Sequence, residues 1–551
     1  MSSRLPVIAA ALLLTATSCI EINSGLGGDL IPVARTYDIY SVDIPMEEIL
    51  LKKADSLDAR STTRMAIGSV RDGDGYLTTR GCAVSLVPLF DTLDFGTNPV
   101  FKSFHFSAAA DSASVADKNQ DGILQNVRVY ELSEAIDPMF PYDCNAIPAH
   151  LSGTITSGTP VVNGTDSLSF DFSESFGRRF LSITQAELDD IKVYRKRFPG
   201  IYIETDNPIG TGGRIDLYEL QLDYDTDYHT IDGNFANLKF ESTYDGVKKD
   251  TSFIFYFGAT YIEDDTDSLL INTTKGSLPQ ICFNMCGGRS RREGPASEYL
   301  YAEGSGGLKP VISAKYMADE LAKAIALKGG NPAKAFVNQA TMVLPFEFPE
   351  DVSTIFRYPE VLCPNVRIHY QDTTGGGSRT CVSYQVLTDY SNENEDKGEI
   401  DRFMSHYAPS FTYHMNSLLS LASSDREALE GGDYDVWFLP MANETVTTSS
   451  SSSSSDLSDY YQYLAYQSYY NNMYGGYGGY GGYGYGGYGY GSDYYSSYYY
   501  NYMLAAMYSG NSSTTTTSLQ RDSNRYYMAR LNGPGKEAHP FLRVTFSVPK
   551  E

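Results

Sequence analysis

The chain has 551 residues, enough for two or three domains with cores of their own, and 42% of them are hydrophobic, as in ordinary globular proteins. With 68 acidic against 42 basic residues its formal net charge is −26, so the protein repels the phosphates of nucleic acids and we expect no nucleic-acid partner. Tyrosine is unusually frequent: there are 45 Tyr against a single Trp.

The first residues predict export and attachment to lipid. Arg4 precedes a short apolar run that is too brief to cross a bilayer, and three small residues then lead to Cys19. This pattern resembles a bacterial lipobox, which implies cleavage before Cys19 and acylation of that residue, at about 0.8 kcal/mol per buried methylene. The alternative is an ordinary signal peptide followed by a chance cysteine. We predict a signal peptide over 1–18 and a lipid anchor and tether over 19–35.

Alternation of apolar and polar residues predicts short strands through the first half of the chain, beginning with 37–44. One helix interrupts them. Thr184 and Glu187 have the spacing of a capping box, and apolar residues then recur at helical spacing as far as Pro199. We predict an N-terminal β-sandwich domain over 36–228.

The strand pattern restarts at His229 and continues to the end of the chain. Segments 237–242 and 251–257 flank an Asp-Gly turn and predict a hairpin. Segment 316–328 is an amphipathic helix that a Gly-Gly pair ends, and 541–548 alternates cleanly as a strand. We predict a C-terminal β domain over 229–551.

Residues 442–520 have a different composition. Ser and Thr dominate their ends, and Tyr and Gly dominate their middle. Such a segment cannot bury enough aliphatic surface to offset the entropy of ordering it, so we predict a disordered insertion. The expected fold class is therefore mainly β: two antiparallel, jelly-roll-like β-sandwich domains with a few short helices and one long low-complexity insertion.

Known catalytic motifs are absent from the sequence. It contains no GxSxG, HExxH or P-loop pattern, and we interpret the glycine-rich segment 304–309 as a turn entering a strand. No pair of carboxylates stands out among so many. We therefore predict no enzymatic activity and no cofactor.

Two weaker signals concern metals and thiols. Asp117, Asn119 and Asp121 match the first half of a calcium loop, but Arg128 occupies the twelfth position, where a bidentate Glu belongs, and a plain turn explains the same residues. Cys282 and Cys286 are the one close cysteine pair. They are compatible with a local disulfide, with two free thiols or, least well, with a metal site.

Four turn-and-strand segments carry a resemblance to a family of Bacteroidetes lipoproteins, the domain of unknown function 4270. They are Gly-Asp-Leu-Ile-Pro at 28–32, Ile-Gly-Ser-Val-Arg-Asp at 67–72, Phe-Pro-Gly-Ile-Tyr-Ile at 198–203, and 301–312. The resemblance spans roughly 19–440 and 521–550. The family has a phenylalanine-glycine directly after the second segment, where this chain has Gly-Asp-Gly.

This resemblance implies a lipid-anchored protein of the outer membrane. We expect it on the cell surface rather than on the periplasmic face. We expect a non-catalytic binding or scaffold component whose partner is an outer-membrane barrel complex or a glycan. The alternative is a hydrolase of glycans or peptides with unidentified carboxylates.

Asp-Ser and Asp-Thr pairs also resemble the O-glycosylation acceptor of exported Bacteroides proteins, although such pairs also begin turns and helices. The candidate acceptors are Ser56, Thr92, Ser112, Ser167, Ser268 and Thr373.

Overall fold

The computed structural model describes residues 36–111, 124–138, 140, 142–164, 167–220, 222–225, 230–259, 276–277, 280–289, 291–372, 379–391, 396–449, 513–521 and 527–550. Strands dominate this part of the chain, which confirms the predicted, mainly β fold class.

The strands lie, in chain order, at β1 Tyr37–Pro45, β2 Leu50–Lys53, β3 Arg60–Ser61, β4 Arg64–Arg71, β5 Leu77–Val84, β6 Val87–Pro88, β7 Thr97–Ala108, β8 Gln125–Leu132, β9 His150–Thr154, β10 Val161–Val162, β11 Leu168–Asp171, β12 Ile201–Thr205, β13 Gly212–Glu219, β14 Leu222–Asp225, β15 Thr230–Gly233, β16 Phe235–Tyr244, β17 Val247–Tyr256, β18 Gly276–Ser277, β19 Cys282–Arg289, β20 Gly294–Pro295, β21 Tyr299–Glu303, β22 Leu308–Ile312, β23 Phe336–Pro345, β24 Val361–Asp372, β25 Arg379–Val386, β26 Ile400–Asp401, β27 His406–Tyr407, β28 Val436–Ser449, β29 Ser513–Arg521, β30 Met528–Asn532 and β31 Phe541–Pro549. The α-helices are α1 Glu174–Phe180, α2 Gln185–Leu188, α3 Ile191–Arg197, α4 Ala314–Leu327, α5 Thr412–Ser424 and α6 Arg426–Glu430. Short 3-10 turns lie at Pro332–Lys334, Val352–Arg357 and Thr388–Ser391.

Four antiparallel sheets form the framework. Sheet I has the order β11-β7-β16-β17-β6, and sheet II has β10-β8-β12-β5-β19-β3, with β4 and β13 branching from β5 and β9 from β8. Sheet III has β20-β2-β22-β28-β24-β25, with β29 on β28, and sheet IV has β1-β31-β23-β27-β26. Two smaller ladders, β15-β14-β18 and β21-β30, complete the pairings of the described strands.

Side chains from neighbouring sheets meet in three cores. Sheets I and II enclose a phenylalanine-rich core that includes Phe104 and Phe255. Sheets II and III meet through Phe283 and Trp437. Sheet III and sheet IV, with α4 and α5 against them, enclose a mostly aliphatic core. Alternation along single strands produces this layering, because successive side chains point to opposite faces.

The division into domains at residue 228 was wrong. β1 pairs along its whole length with β31, so the first described strand closes the last sheet. Conversely, β16 pairs with β7 and β19 pairs with β5, so residues after 229 complete sheets I and II. Local sequence patterns cannot reveal such pairings, because strand partners are chosen over hundreds of residues.

The local predictions fared better. β16 and β17 form the predicted hairpin, and Asp245 and Gly246 both have the positive φ angles that its tight turn requires. The capping box is present, with the Thr184 N–H donating to the Glu187 carboxylate at 2.8 Å. The helix after it is split, however, because Asp190 caps a new helix, α3, by accepting a hydrogen bond from the Lys192 N–H at 2.8 Å.

The predicted boundaries of the insertion, 442 and 520, were wrong, because both ends of this range are strands. Residues 442–449 extend β28 and residues 513–520 belong to β29, and the two strands pair from Met441↔Arg521 to Ser449↔Ser513. β-Branched threonines favour strands, which explains why hydroxyl-rich ends can be extended. Residues 450–512 lie outside the described residues.

No helix in the described part of the chain is long and apolar enough to cross a membrane.

Candidate functional site

A cluster of charged side chains lies where β5, β19 and the start of β22 come together, and Arg291 is its centre. This guanidinium is only 7% exposed. Its Nη1 donates to Glu303 Oε1 at 2.8 Å, and its Nη2 donates to the carboxylates of Asp72 and, at 3.3 Å, Asp74. Arg291 is therefore a buried cation whose charge is neutralised by carboxylates.

Two aromatic rings complete the surroundings of Arg291. The guanidinium carbon lies 4.5 Å from the centroid of Tyr76 and 4.4 Å from that of Tyr301. Burial acts to lower the pKa of Arg291, but the carboxylates of Glu303 and Asp72 outweigh it and hold the pKa above its usual value. The two rings add cation–π attraction to the ion pairs with the carboxylates.

Beside this cluster is a cavity of about 180 Å³ that reaches the surface. Backbone from two glycine segments, 287–288 and 304–307, forms much of its wall, together with Asn145 and the side chain of Arg80. We call it the Arg80 cavity. It lies between sheets II and III, since β5 and β19 belong to the first and β2, which carries Lys53, belongs to the second.

The glycines of this wall are required by close packing. A Cβ atom on Gly306 would collide with the side-chain amide of Asn145, and one on Gly288 would collide with the carbonyl oxygen of Leu77. The segment 304–307 is indeed the predicted turn, closed by a hydrogen bond from the Gly307 N–H to the Gly304 carbonyl at 3.1 Å, and it leads directly into β22. The sequence did not indicate that this turn also lines a cavity.

Lys309 stabilises the glycine turn through hydrogen bonds to its backbone carbonyls. Its side chain is buried, and its ammonium donates to the carbonyls of Ser305 at 2.8 Å and Gly307 at 2.9 Å. Burial lowers the pKa of Lys309 to about 8, against an ordinary value of 10.5. At neutral pH the Lys309 ammonium is therefore charged, and its main partners are the carbonyl dipoles of the turn.

Arg80 is the most deeply buried guanidinium of the site, at 1% exposure. Its Nη1 donates to the carbonyl of Thr79 at 3.1 Å and lies 2.6 Å from the Cys286 sulfur, while its Nε has no hydrogen-bond partner in the part of the chain that the structure describes. No carboxylate of the described residues forms an ion pair with it, unlike Arg214, which has Asp216 at 2.6 Å.

The disulfide hypothesis for Cys282 and Cys286 was wrong. Both are free, buried thiols on β19, and four residues of strand separate their Cα atoms by about 13 Å, whereas a disulfide needs less than about 7 Å. The neighbour of Cys286 is instead Cys144, whose carbonyl accepts the Cys286 N–H at 2.6 Å. Burial raises the pKa of Cys144 to about 12, so this thiol is neutral at physiological pH.

Of the remaining predicted site residues, those within the described ranges do not line this cavity. Cys19, the calcium candidates Asp117, Asn119 and Asp121, and three of the six glycosylation candidates, Ser112, Ser268 and Thr373, lie outside the described residues. The other three, Ser56, Thr92 and Ser167, are exposed hydroxyls on the surface. Within the described ranges no three His, Cys, Asp or Glu side chains are grouped as metal ligands.

A second surface feature lies at the far end of sheet IV. Here β23 ends beside the β26–β27 turn, with the Phe346 N–H donating to the Ser405 carbonyl at 2.9 Å. The rings of Tyr358 and Tyr407 pack on Phe346, so the segments 346–358 and 400–407 meet here. The large apolar side chains that these two segments expose, which we call the distal apolar tip, are Phe348, Val352, Phe356, Phe403 and Met404.

Sequence reasoning did not identify Arg80 or Arg291. A weak signal existed, since Arg80 interrupts a strand whose following residues are small and apolar, and a buried strand seldom carries an unpaired charge. The partners of Arg291, at positions 72 and 303, fall inside two of the family-like segments, but nothing in the sequence indicates that these segments meet.

Comparisons of the chain with known protein families, with curated proteins and with solved structures found no match.

Proposed function

We propose that this protein is a non-catalytic, lipid-anchored binding or scaffold component of the outer membrane that docks on an outer-membrane protein through its distal apolar tip. The resemblance to the domain of unknown function 4270 lipoproteins and the lipobox-like pattern at Cys19 support the compartment. The observation that carries the binding role is the exposure of large apolar side chains at one place.

The distal apolar tip is unusual for a surface exposed to water. Phe403 is 93% exposed, and Phe356 and Met404 are each about 60% exposed. Soluble monomers rarely group such side chains on the outside, and Phe and Met are enriched where proteins bind one another. We therefore expect a protein partner to cover the tip and remove these side chains from water. A glycan, the other predicted partner, would stack on the same rings.

The position of the tip also suits a partner away from the anchor. β1 and β23 both run antiparallel to β31, so they point the same way. The chain enters the described fold at Thr36, beside Tyr37, while the tip follows the opposite end of β23. Eight residues of strand place these ends roughly 27 Å apart.

The end at which the chain enters has features that suit a membrane surface. Ile39 and Phe336 are exposed and flank Ser547 on the outer face of sheet IV. Lys550 lies at the same end, paired with Asp38 at 3.2 Å. Apolar side chains with a lysine at their rim are typical of surfaces that rest on lipid headgroups.

The carboxylates of the charged cluster favour binding over hydrolysis. Glu303 accepts from Arg291 and from the Leu308 N–H at 2.9 Å, and Asp72 accepts from Arg291 and from backbone N–H groups. Carboxylates that exchange protons with a substrate need a free oxygen facing it. These two are instead occupied by donors within the fold.

Fractionation of cells combined with a triple substitution tests the proposal. The wild-type protein should sediment with outer membranes and, in mild detergent, co-purify with one integral outer-membrane protein. Phe356→Ser/Phe403→Ser/Met404→Ser should stay anchored but lose that protein. The matched control is Val100→Ser/Val247→Ser, which replaces exposed apolar residues of sheet I.

A second variant separates anchoring from binding. Cys19→Ala should release the protein into the soluble fraction. If it remains membrane-bound after a carbonate wash, the anchor is elsewhere. If the tip variant keeps its partner as firmly as the control does, the tip is not the docking surface.

A further inference from the structure

We propose that the Arg80 cavity is a binding site for a compact oxyanion group, a carboxylate, sulfate or phosphate, which the Arg80 guanidinium holds. No residue of the distal apolar tip lines this cavity. The site is therefore additional to the docking function proposed above and does not depend on it.

The first argument is the balance of buried charge. Three cations, Arg80, Arg291 and Lys309, are buried in this region, and the carboxylates of Asp72, Asp74 and Glu303 are all ion-paired with Arg291. Arg80 has no ion-pair partner among the described residues. A buried charge without such a partner is costly unless a counter-ion joins it.

The second argument is that arginine cannot avoid this cost by releasing its proton. A buried lysine can become neutral, but a guanidinium stays charged throughout the physiological range. Among the described residues the hydrogen bonds of Arg80 go to the Thr79 carbonyl and the Cys286 sulfur, both from Nη1. Its Nε is buried with no partner from the described ranges, and Arg80 lines the cavity.

The third argument is the shape of the wall. Five glycines line the cavity, at positions 287, 288, 304, 306 and 307, so much of its wall is backbone that no side chain covers and that a ligand can approach closely. Thr78 adds a hydroxyl to the lining, and a hydroxyl can donate a hydrogen bond. Donors around a guanidinium fork match an oxyanion that presents two oxygens.

Lys53 makes the approach favourable as well. It is exposed at the edge of the cavity, where its ammonium can attract an anion from solution. The volume of the cavity suits one compact group rather than a nucleotide or a peptide. A free ion and the acidic group of a glycan share this chemistry.

Thermal unfolding of the full chain tests the assignment. Sulfate, phosphate and sodium glucuronate are each titrated below 10 mM at constant ionic strength, with chloride and neutral glucose as references. The melting temperature of the wild type should rise with the logarithm of oxyanion concentration above Kd. Arg80→Met should lose this rise, whereas Arg128→Gln, which removes a surface guanidinium paired with Asp206, should keep it. The strongest of the three probes identifies the ligand class.

Alkylation of Cys286 provides a readout that needs no variant. Its sulfur lines the cavity, whereas Cys82 and Cys363 are buried elsewhere and serve as internal references. At ten times Kd a bound oxyanion should slow the reaction of Cys286 with iodoacetamide about tenfold, as measured by peptide mass spectrometry. The assignment is overturned if the wild type responds to oxyanions no more than to chloride, if Arg80→Met responds equally, or if alkylation of Cys286 is unaffected.

Discussion

Arg291 and Arg80 are two buried guanidinium groups in one corner of the molecule, and their surroundings differ completely. Arg291 is neutralised by Asp72, Asp74 and Glu303 and covered by two tyrosine rings. Arg80 is buried even more deeply, yet it has a carbonyl and a sulfur as neighbours and no carboxylate within the described residues.

The difference shows that burial alone does not tell whether a charge is structural. A buried ion pair is costly to break, because the partner that remains is left unpaired. A buried charge without a partner contributes little to the stability of the fold. Its desolvation penalty is offset when a ligand of opposite charge binds. Arg291 therefore has the character of a structural residue and Arg80 that of a binding residue.

The largest effect should come from replacing Arg291. Arg291→Met leaves Asp72 and Glu303 buried without their cation, and we expect the free energy of unfolding to fall by about 3–5 kcal/mol. Urea denaturation measures it. The control is Asp74→Asn, since Asp74 is largely exposed and its loss should cost less than about 1 kcal/mol. Equal losses in the two variants would contradict a structural role for Arg291.

The next effect concerns Lys309 and pH. Below pH 8 the ammonium is charged in both the folded and the unfolded state. Between pH 8 and 10.5 the folded protein releases the proton while the unfolded chain keeps it, so stability rises with pH. We expect a gain on the order of 2–3 kcal/mol.

Both Lys309→Met and Lys309→Arg should remove this gain, because the first has no charge and the second cannot lose its charge in this range. Unfolding in urea at pH 7.5, 9 and 10.5 isolates the contribution as the difference between wild type and variant. A variant with the same alkaline rise as the wild type would show that Lys309 is not its source.

A smaller loss of stability is expected when a glycine of the cavity wall is replaced. Gly306→Ala places a methyl group against Asn145 and should cost about 1–3 kcal/mol, whereas Asn145→Ala/Gly306→Ala should recover part of that loss. Gly210→Ala is the control, since a Cβ there meets no atom within 4 Å. If the double variant loses the sum of the two single losses, the two residues do not crowd each other.

The smallest effect is expected for Arg80. Without added oxyanion, Arg80→Met should change the free energy of unfolding by less than about 1 kcal/mol, because no carboxylate loses a partner. Urea denaturation in chloride buffer, side by side with Arg291→Met, measures the contrast. A loss as large as that of Arg291→Met would mean that Arg80 is a structural cation as well.

Local patterns in the sequence predicted much of the secondary structure. The hairpin about Asp245-Gly246 follows from residues that tolerate positive φ, and the helix α4 follows from apolar residues at helical spacing ended by Gly329. The final strand, β31, follows from strict alternation. Each of these features depends on neighbours within a few residues, which is why a sequence reveals them.

Sheet membership and the site depended on tertiary structure. Tyr37 pairs with Pro549, and Arg291 meets Asp72 across 219 positions of chain. The sequence by itself determined that the protein is acidic and mainly β, and which segments form many of its strands and turns. Only the folded chain decided that β1 closes the last sheet and that Arg291 has carboxylate partners, whereas Arg80 has none among the residues that the structure describes. The reason is physical: alternation specifies which face of a strand is buried, but many strands share that pattern, and the partner is selected by packing and charge between residues far apart in the chain.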